Sequence, residues 1–130
     1  MAPILTLFTD DPRLQRKAEH YSSEYGTEIV ICSADVEARI DALRGNSTIE
    51  TLWYFFLDLD AKEFDAYALA SLIRSAFPAA VCIAFALSPD PSLVQKTKLS
   101  GIPNLLQRFA FEELLKKICI ETGTPTPATK

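Results

Sequence analysis

At 130 residues and 14.4 kDa the chain fits one domain, long enough to bury a core without disulfide or metal staples. Apolar residues make up 48% and charged residues 23%, which argues against disorder and against a fibrous class. A net charge of -4 and a pI near 5.0 argue against direct nucleic-acid binding, which needs a clustered basic surface.

Cys32, Cys82 and Cys119 are an odd count without metal-type spacing, and the first two lie in apolar, strand-like runs. They read as reduced core thiols. No charged segment followed by an apolar one opens the chain, and no apolar run approaches the roughly 20 residues of a membrane span. A soluble, cytoplasmic protein is expected. Asn46-Ser47-Thr48 matches a glycosylation acceptor but reads as a polar turn in that setting.

In chain order, Ile4 to Phe8 is a short apolar run leading into Thr9-Asp10-Asp11-Pro12. Asp11 can cap a helix there, with Pro12 at its first position, where a missing N–H costs nothing. Leu14, Ala18, Tyr21 and Tyr25 then form one apolar helix face, and Gly26 ends it. Glu28 to Cys32 is a second strand. Ser33 can cap a helix carrying Val36, Ile40 and Leu43, which Gly45 closes.

The stretch from Leu52 to Asp65 organises the rest. Trp53 to Leu57 is apolar at every position and stops on Asp58-Leu59-Asp60, so it reads as a strand buried on both faces. Ala66, Leu69, Ile73 and Phe77 follow at helical spacing before Pro78. Ala80 to Leu87 is a fourth strand, again apolar throughout. A weakly patterned helix from Pro91 to Ser100 is expected to pack least firmly. Gly101-Ile102-Pro103 leads to a short strand at 104–107 and a last helix from Phe111 to about Thr122. Acids in that helix's first turn and lysines near its end suit the helix dipole. The Pro/Thr-rich tail from Gly123 reads as a disordered terminus or the start of a linker, leaving one domain over 1–122.

Five strands alternating with five helices through short connections predict a parallel α/β sheet with right-handed crossovers. A flavodoxin-like (βα)5 doubly wound arrangement, strand order 2-1-3-4-5, puts the first and third strands side by side at the switch point, where ligands bind. Asp10 and Asp58 are expected to meet there.

The layout resembles the response-regulator receiver (CheY-like) domain over roughly residues 3 to 121. The resemblance is carried by Thr9-Asp10-Asp11-Pro12, by Asp58-Leu59-Asp60 with Asp65 beyond, and by Gly101 with Leu105-Leu106-Gln107-Arg108-Phe109. It implies that Asp58 is the phosphoacceptor position, taking a phosphoryl group from the phosphohistidine of a sensor histidine kinase. It also implies a Mg2+ ion held by the Asp10 and Asp58 carboxylates and the Asp60 backbone carbonyl, neutralising charge during in-line transfer. Arg108 occupies the family's lysine position on the fifth strand and can pair with Asp58 or a phosphate.

Several positions depart from the family pattern. Thr9 and Asp10 stand where the family has two acids, which weakens the metal site. The hydroxyl residue at the end of the fourth strand falls on Phe85 or Ala86, neither of which donates a hydrogen bond, and Ser88 comes too late. Arg108 is bulkier and planar compared with lysine. Phe109 replaces a proline, Leu105 replaces the aromatic switch residue, and Lys62 and Ala66 stand at the proline and glycine positions after the acceptor.

Two readings follow. In the first the chain is an atypical receiver or pseudo-receiver, a protein-interaction and regulatory module with a degenerate phosphorylation site. In the second it is a working phosphoacceptor switch through Asp58 and Mg2+. A ring of Phe85 beside Asp58 would favour the first. Independent catalysis is not expected: there is no Gly-rich phosphate loop and no Ser-His or Cys-His pair, and His20, the only histidine, falls on the outer phase of its helix. The implied partners are a sensor histidine kinase or a regulatory protein. The fourth helix, fifth strand and fifth helix could also pair two copies, with no nucleic acid or membrane involved.

Overall fold

The chain alternates strand and helix in a computed structural model that describes residues 4–45 and 52–122. The strands are β1 (Ile4–Phe8), β2 (Ile29–Cys32), β3 (Trp53–Asp58), β4 (Val81–Ala86) and β5 (Asn104–Gln107). The helices are α1 (Pro12–Tyr25), α2 (Val36–Gly45), α3 (Ala66–Ala76), α4 (Pro91–Leu99) and α5 (Arg108–Thr122). All strand pairs are parallel, in the order β2-β1-β3-β4-β5. This is the expected flavodoxin-like α/β fold. The Asn46-Ser47-Thr48 acceptor and the tail from Gly123 lie outside the described residues.

Capping explains most helix starts. The Asp11 carboxylate accepts the Arg13 N–H at 2.9 Å, Asp65 accepts from Tyr67 and Ala68, and Asp90 accepts from Leu93 at 2.7 Å. Gly26, at φ 68°, ends α1 in the left-handed conformation. Two expectations are corrected. Ser33 does not cap α2: Asp35 immediately precedes that helix, and its carbonyl accepts the Arg39 N–H at 3.0 Å. Helix α5 starts at Arg108 rather than Phe111, directly after β5, so Arg108 opens a helix instead of ending a strand.

Strand alternation divides the core into two layers. Phe8, Phe55, Leu57, Leu69 and Ile73 fill one side of the sheet; Leu5, Leu7, Phe56, Phe85, Phe111 and Leu115 fill the other. Each such fully buried Leu or Phe stabilises the fold by about 1.5–3 kcal/mol. Trp53, Phe55 and Phe77 stack at one end of the first layer. Helix α4 buries only Thr97, whose hydroxyl lies 3.1 Å from that of Tyr67, in keeping with its weak pattern. All three cysteines are buried and free, and burial pushes the Cys82 thiol up to about 11. Among the described residues no helix is long and apolar enough to cross a membrane.

Candidate functional site

The sheet register sets what meets at the carboxyl ends of the central strands. Phe8 of β1 pairs with Leu57 of β3, so the next residues along, Thr9 and Asp58, come face to face. Asp10 has by then left the sheet. The expected meeting of Asp10 and Asp58 is therefore replaced by a contact between Thr9 and Asp58, because in parallel strands the partner is fixed by register.

The Thr9 hydroxyl, fully buried, donates to Asp58 Oδ2 at 2.6 Å, and the Asp60 backbone N–H donates to Asp58 Oδ1 at 2.9 Å. Asp58 is only 2% exposed, so both carboxylate oxygens are engaged in a closed site. Thr9 is itself held in place: its oxygen accepts the Asp11 N–H at 3.1 Å, and the Gln15 side-chain amide donates to its carbonyl at 2.9 Å. Burial raises the Asp58 carboxyl above its ordinary range. The bonds from Thr9 and Asp60 and the charge of Arg108 oppose that rise without cancelling it.

Each neighbouring acid ties one loop to another. Asp10 Oδ2 accepts the backbone N–H groups of Lys62 at 2.7 Å and Glu63 at 3.1 Å, fastening the end of β1 to the loop after β3. The Asp60 carboxylate accepts the Leu87 N–H at 2.7 Å, fastening that loop to the exit of β4. Asp11 receives a guanidinium N–H of Arg108, joining the start of α1 to the start of α5. Burial pushes the Asp11 carboxyl up, but the hydrogen bonds from Arg108 and Arg13 and the charge of Arg108 hold it below the usual carboxylate range.

Arg108 thus pairs with Asp11 and, through Nε at 3.6 Å, with Glu112, whose other oxygen meets Lys17 at 2.5 Å. The expected ion pair of Arg108 with the acids is made with Asp11 and not with Asp58. The reason is positional: Arg108 opens α5, so Glu112 sits one turn along its own helix and Asp11 lies at the facing N-terminus of α1. Asp11 is both the expected cap of α1 and the ion-pair partner of Arg108. The sequence signal for this was the Arg108–Glu112 spacing of four; nothing in the sequence marked the Thr9 hydroxyl.

Magnesium requires several oxygens turned toward one point at about 2.0–2.1 Å. Here Asp10 Oδ2 is turned to the loop amides and each Asp58 oxygen accepts an internal donor; the contact to Leu87 is made by the Asp60 carboxylate and not by its carbonyl. Among the described residues no group of three or more His, Cys, Asp or Glu is placed to hold a metal ion. The expected set, the Asp10 and Asp58 carboxylates with the Asp60 carbonyl, contains only two such side chains, and in this arrangement each of them accepts hydrogen bonds from the protein.

Phe85 is the register partner of Asp58 on β4 and points, like Asp58, to the α1/α5 side of the sheet. Its ring is fully buried and stacks on Phe111, centroids 4.0 Å apart and planes 6° from parallel. An aromatic ring therefore stands in the strand position next to Asp58. Ala86 is buried, Leu105 packs against the core, and Phe109 is 68% exposed. His20 is exposed and meets Glu24 at 3.0 Å.

No family model matches the chain, and no curated protein matches it. Solved structures do. Response regulator DrrB of Thermotoga maritima is 16% identical with a TM-score of 0.67 over 90% of this chain, which spans only 50% of the length of DrrB. A CheY-like receiver domain protein from Methanospirillum hungatei is 12% identical with a TM-score of 0.67, covering 91% of this chain and 94% of that one. A response regulator from Burkholderia pseudomallei, described with a phosphorylated aspartic acid, a calcium ion and citrate, is 16% identical with a TM-score of 0.68, covering 98% and 69%. At such identities the likeness is one of fold: this chain has the five-stranded α/β fold of response-regulator receiver domains.

Proposed function

We propose that the chain is an atypical receiver domain of two-component signal transduction, acting mainly as a protein-interaction and regulatory module with a degenerate phosphorylation site. The observation that carries this is the closed Asp58 carboxylate, 2% exposed and hydrogen-bonded at both oxygens. A carboxylate that attacks a phosphoryl group needs a free lone pair in line with the leaving group and cations to neutralise the charge that gathers there. Each Asp58 oxygen already accepts a protein hydrogen bond inside a site closed to solvent, and the nearby cation Arg108 is committed to Asp11 and Glu112. The receiver fold of the structural neighbours supports a place in two-component signalling.

The setting proposed is the cytoplasm, with a sensor histidine kinase or a regulatory protein as partner and no enzymatic activity of the chain itself. Pairing of two copies through α4, β5 and α5 is supported by exposed Leu99 and Phe109 on that side. The alternative, a phosphoacceptor switch on Asp58 with Mg2+, draws on the place of Asp58 at the carboxyl end of the central strand.

Titration with Mg2+ and beryllofluoride, followed by backbone amide NMR, tests the choice. The expected result is no saturable shift at Asp58, Asp60, Ala86 or Leu87. Saturable shifts at those amides at millimolar Mg2+ would overturn the reading in favour of the switch.

A further inference from the structure

A groove of about 470 Å³ runs between the N-terminal ends of α2 and α3, remote from Arg108 and α5. Its apolar floor consists of Val36, Phe64, Leu69 and Leu72, and its rim carries Asp35, Glu37, Glu63 and Asp65 with no lysine or arginine. Leu72 is 40% exposed although it sits on a helix whose opposite face is fully buried. Phe64 is half-buried and held edge-on against the ring of Phe8. Asp65 is used in capping α3, and none of the four rim acids forms an ion pair among the described residues. An apolar floor framed by uncompensated carboxylates selects one kind of occupant by charge complementarity.

We propose that this groove docks a basic amphipathic helix of a partner protein. A leucine- or methionine-sized side chain of the partner covers Leu72 and Phe64, while flanking lysines or arginines meet Asp35, Glu37 and Glu63. The geometry is that of helix-in-groove recognition, in which apolar anchors at helical spacing supply affinity and the charged rim supplies orientation and encounter rate. The floor is shaped before the partner arrives, because Phe64 is fixed by Phe8 and Leu69 is buried. The inference rests on reading the chain as an interaction module. It uses none of the groups hydrogen-bonded to Asp58, and the beryllofluoride experiment and the one below read different amides, so they fail separately.

The test uses the full chain and an amphipathic helical peptide of about three turns, with lysines on one face and leucines on the other. Its controls are a peptide of the same composition in scrambled order and an all-glutamine analogue of the lysine face. The expected result is saturable amide shifts centred on Val36, Phe64 and Leu72. Leu72→Ser, which leaves the charge unchanged, and the Glu37→Gln/Glu63→Gln pair should each weaken binding about tenfold. All the substituted positions are exposed, so the variants should keep the amide spectrum of the folded chain.

Three results would overturn the proposal. One is equal binding of the scrambled peptide or the glutamine analogue. Another is shifts spread over the acidic surface and indifferent to Leu72→Ser. The third is concentration-dependent shifts of the same residues without peptide, which would make a second copy of this chain the occupant.

Discussion

The Thr9 hydroxyl and the Asp58 carboxylate face each other at 2.6 Å across the carboxyl ends of β1 and β3, sealed from solvent. This contact engages one oxygen of the carboxylate at the carboxyl end of the central strand. It predicts that Thr9→Val, which keeps the shape and removes the donor, costs about 1–3 kcal/mol by leaving a buried carboxylate oxygen unsatisfied. Urea denaturation at neutral pH measures it. A cost near zero would mean that water reaches Asp58 freely.

The raised Asp58 carboxyl sets a sign for pH dependence. Below the ordinary value of 3.8 the group is protonated in both folded and unfolded chains. Between that value and the higher folded one, the folded chain alone holds the proton. The stability this group contributes is therefore full at acid pH and lost as pH rises through the folded value. Asp58→Asn removes the titration while keeping an oxygen for the Asp60 N–H and a side-chain partner for Thr9. It should stabilise the chain at neutral pH and give no gain in acid, seen as a pH-dependent shift of the urea midpoint.

Asp11 predicts the opposite slope. Its lowered carboxyl adds stability that is present above 3.8 and lost as pH falls through its folded value. Asp11→Asn keeps the cap on α1 and removes the ion pair with Arg108, so its destabilisation should be full at neutral pH and fade as pH falls below 3.8 through the lowered folded value. Arg108→Ala should cost about 1–3 kcal/mol, since it leaves Asp11 and Glu112 facing each other without their shared cation. Arg108→Lys should restore only part, because lysine cannot reach both acids with a planar fork. Equal stability of the lysine variant would remove the geometric role given to the guanidinium.

Phe85 and Phe111 form a stacked pair whose loss would be felt in the core. Phe85→Thr supplies a hydroxyl next to Asp58 but empties the space above Phe111, at a cost of about 3–5 kcal/mol. The expected outcome is a large drop in thermal midpoint with no gain of beryllofluoride response. A variant that responds to beryllofluoride would show that the ring at 85 alone blocks the site.

Gly101 adopts φ +84°, and a Cβ placed there would fall 1.5 Å from the Arg74 guanidinium. Arg74 can swing away, but the backbone conformation remains unfavourable for any side chain. Gly101→Ala should cost about 1–2 kcal/mol, and combining it with Arg74→Ala should recover only the small steric part.

The fold was largely legible because the pattern that encodes it is local. Unbroken apolar runs such as Trp53 to Leu57, acids able to cap at Asp11, Asp65 and Asp90, and Gly26 after α1 each act within a few residues of themselves. The alternation of strand and helix then leaves few topologies, and the order 2-1-3-4-5 is the one observed. Weak local cues mislead: Ser33 has the chemistry of a cap but Asp35 precedes α2, and α5 starts directly on β5 at Arg108.

The sequence by itself determined that acids would gather at the carboxyl ends of β1 and β3, since residue type and strand pattern decide that. Only the tertiary structure decided what each acid binds. Register set Thr9, not Asp10, against Asp58; the start of α5 turned Arg108 to Asp11; and the loop after β3 brought Asp10 and Asp60 to backbone N–H groups. The physical reason is that hydrogen bonds and ion pairs are settled within an ångström or so, a precision that strand register and packing provide and that spacing along the chain does not.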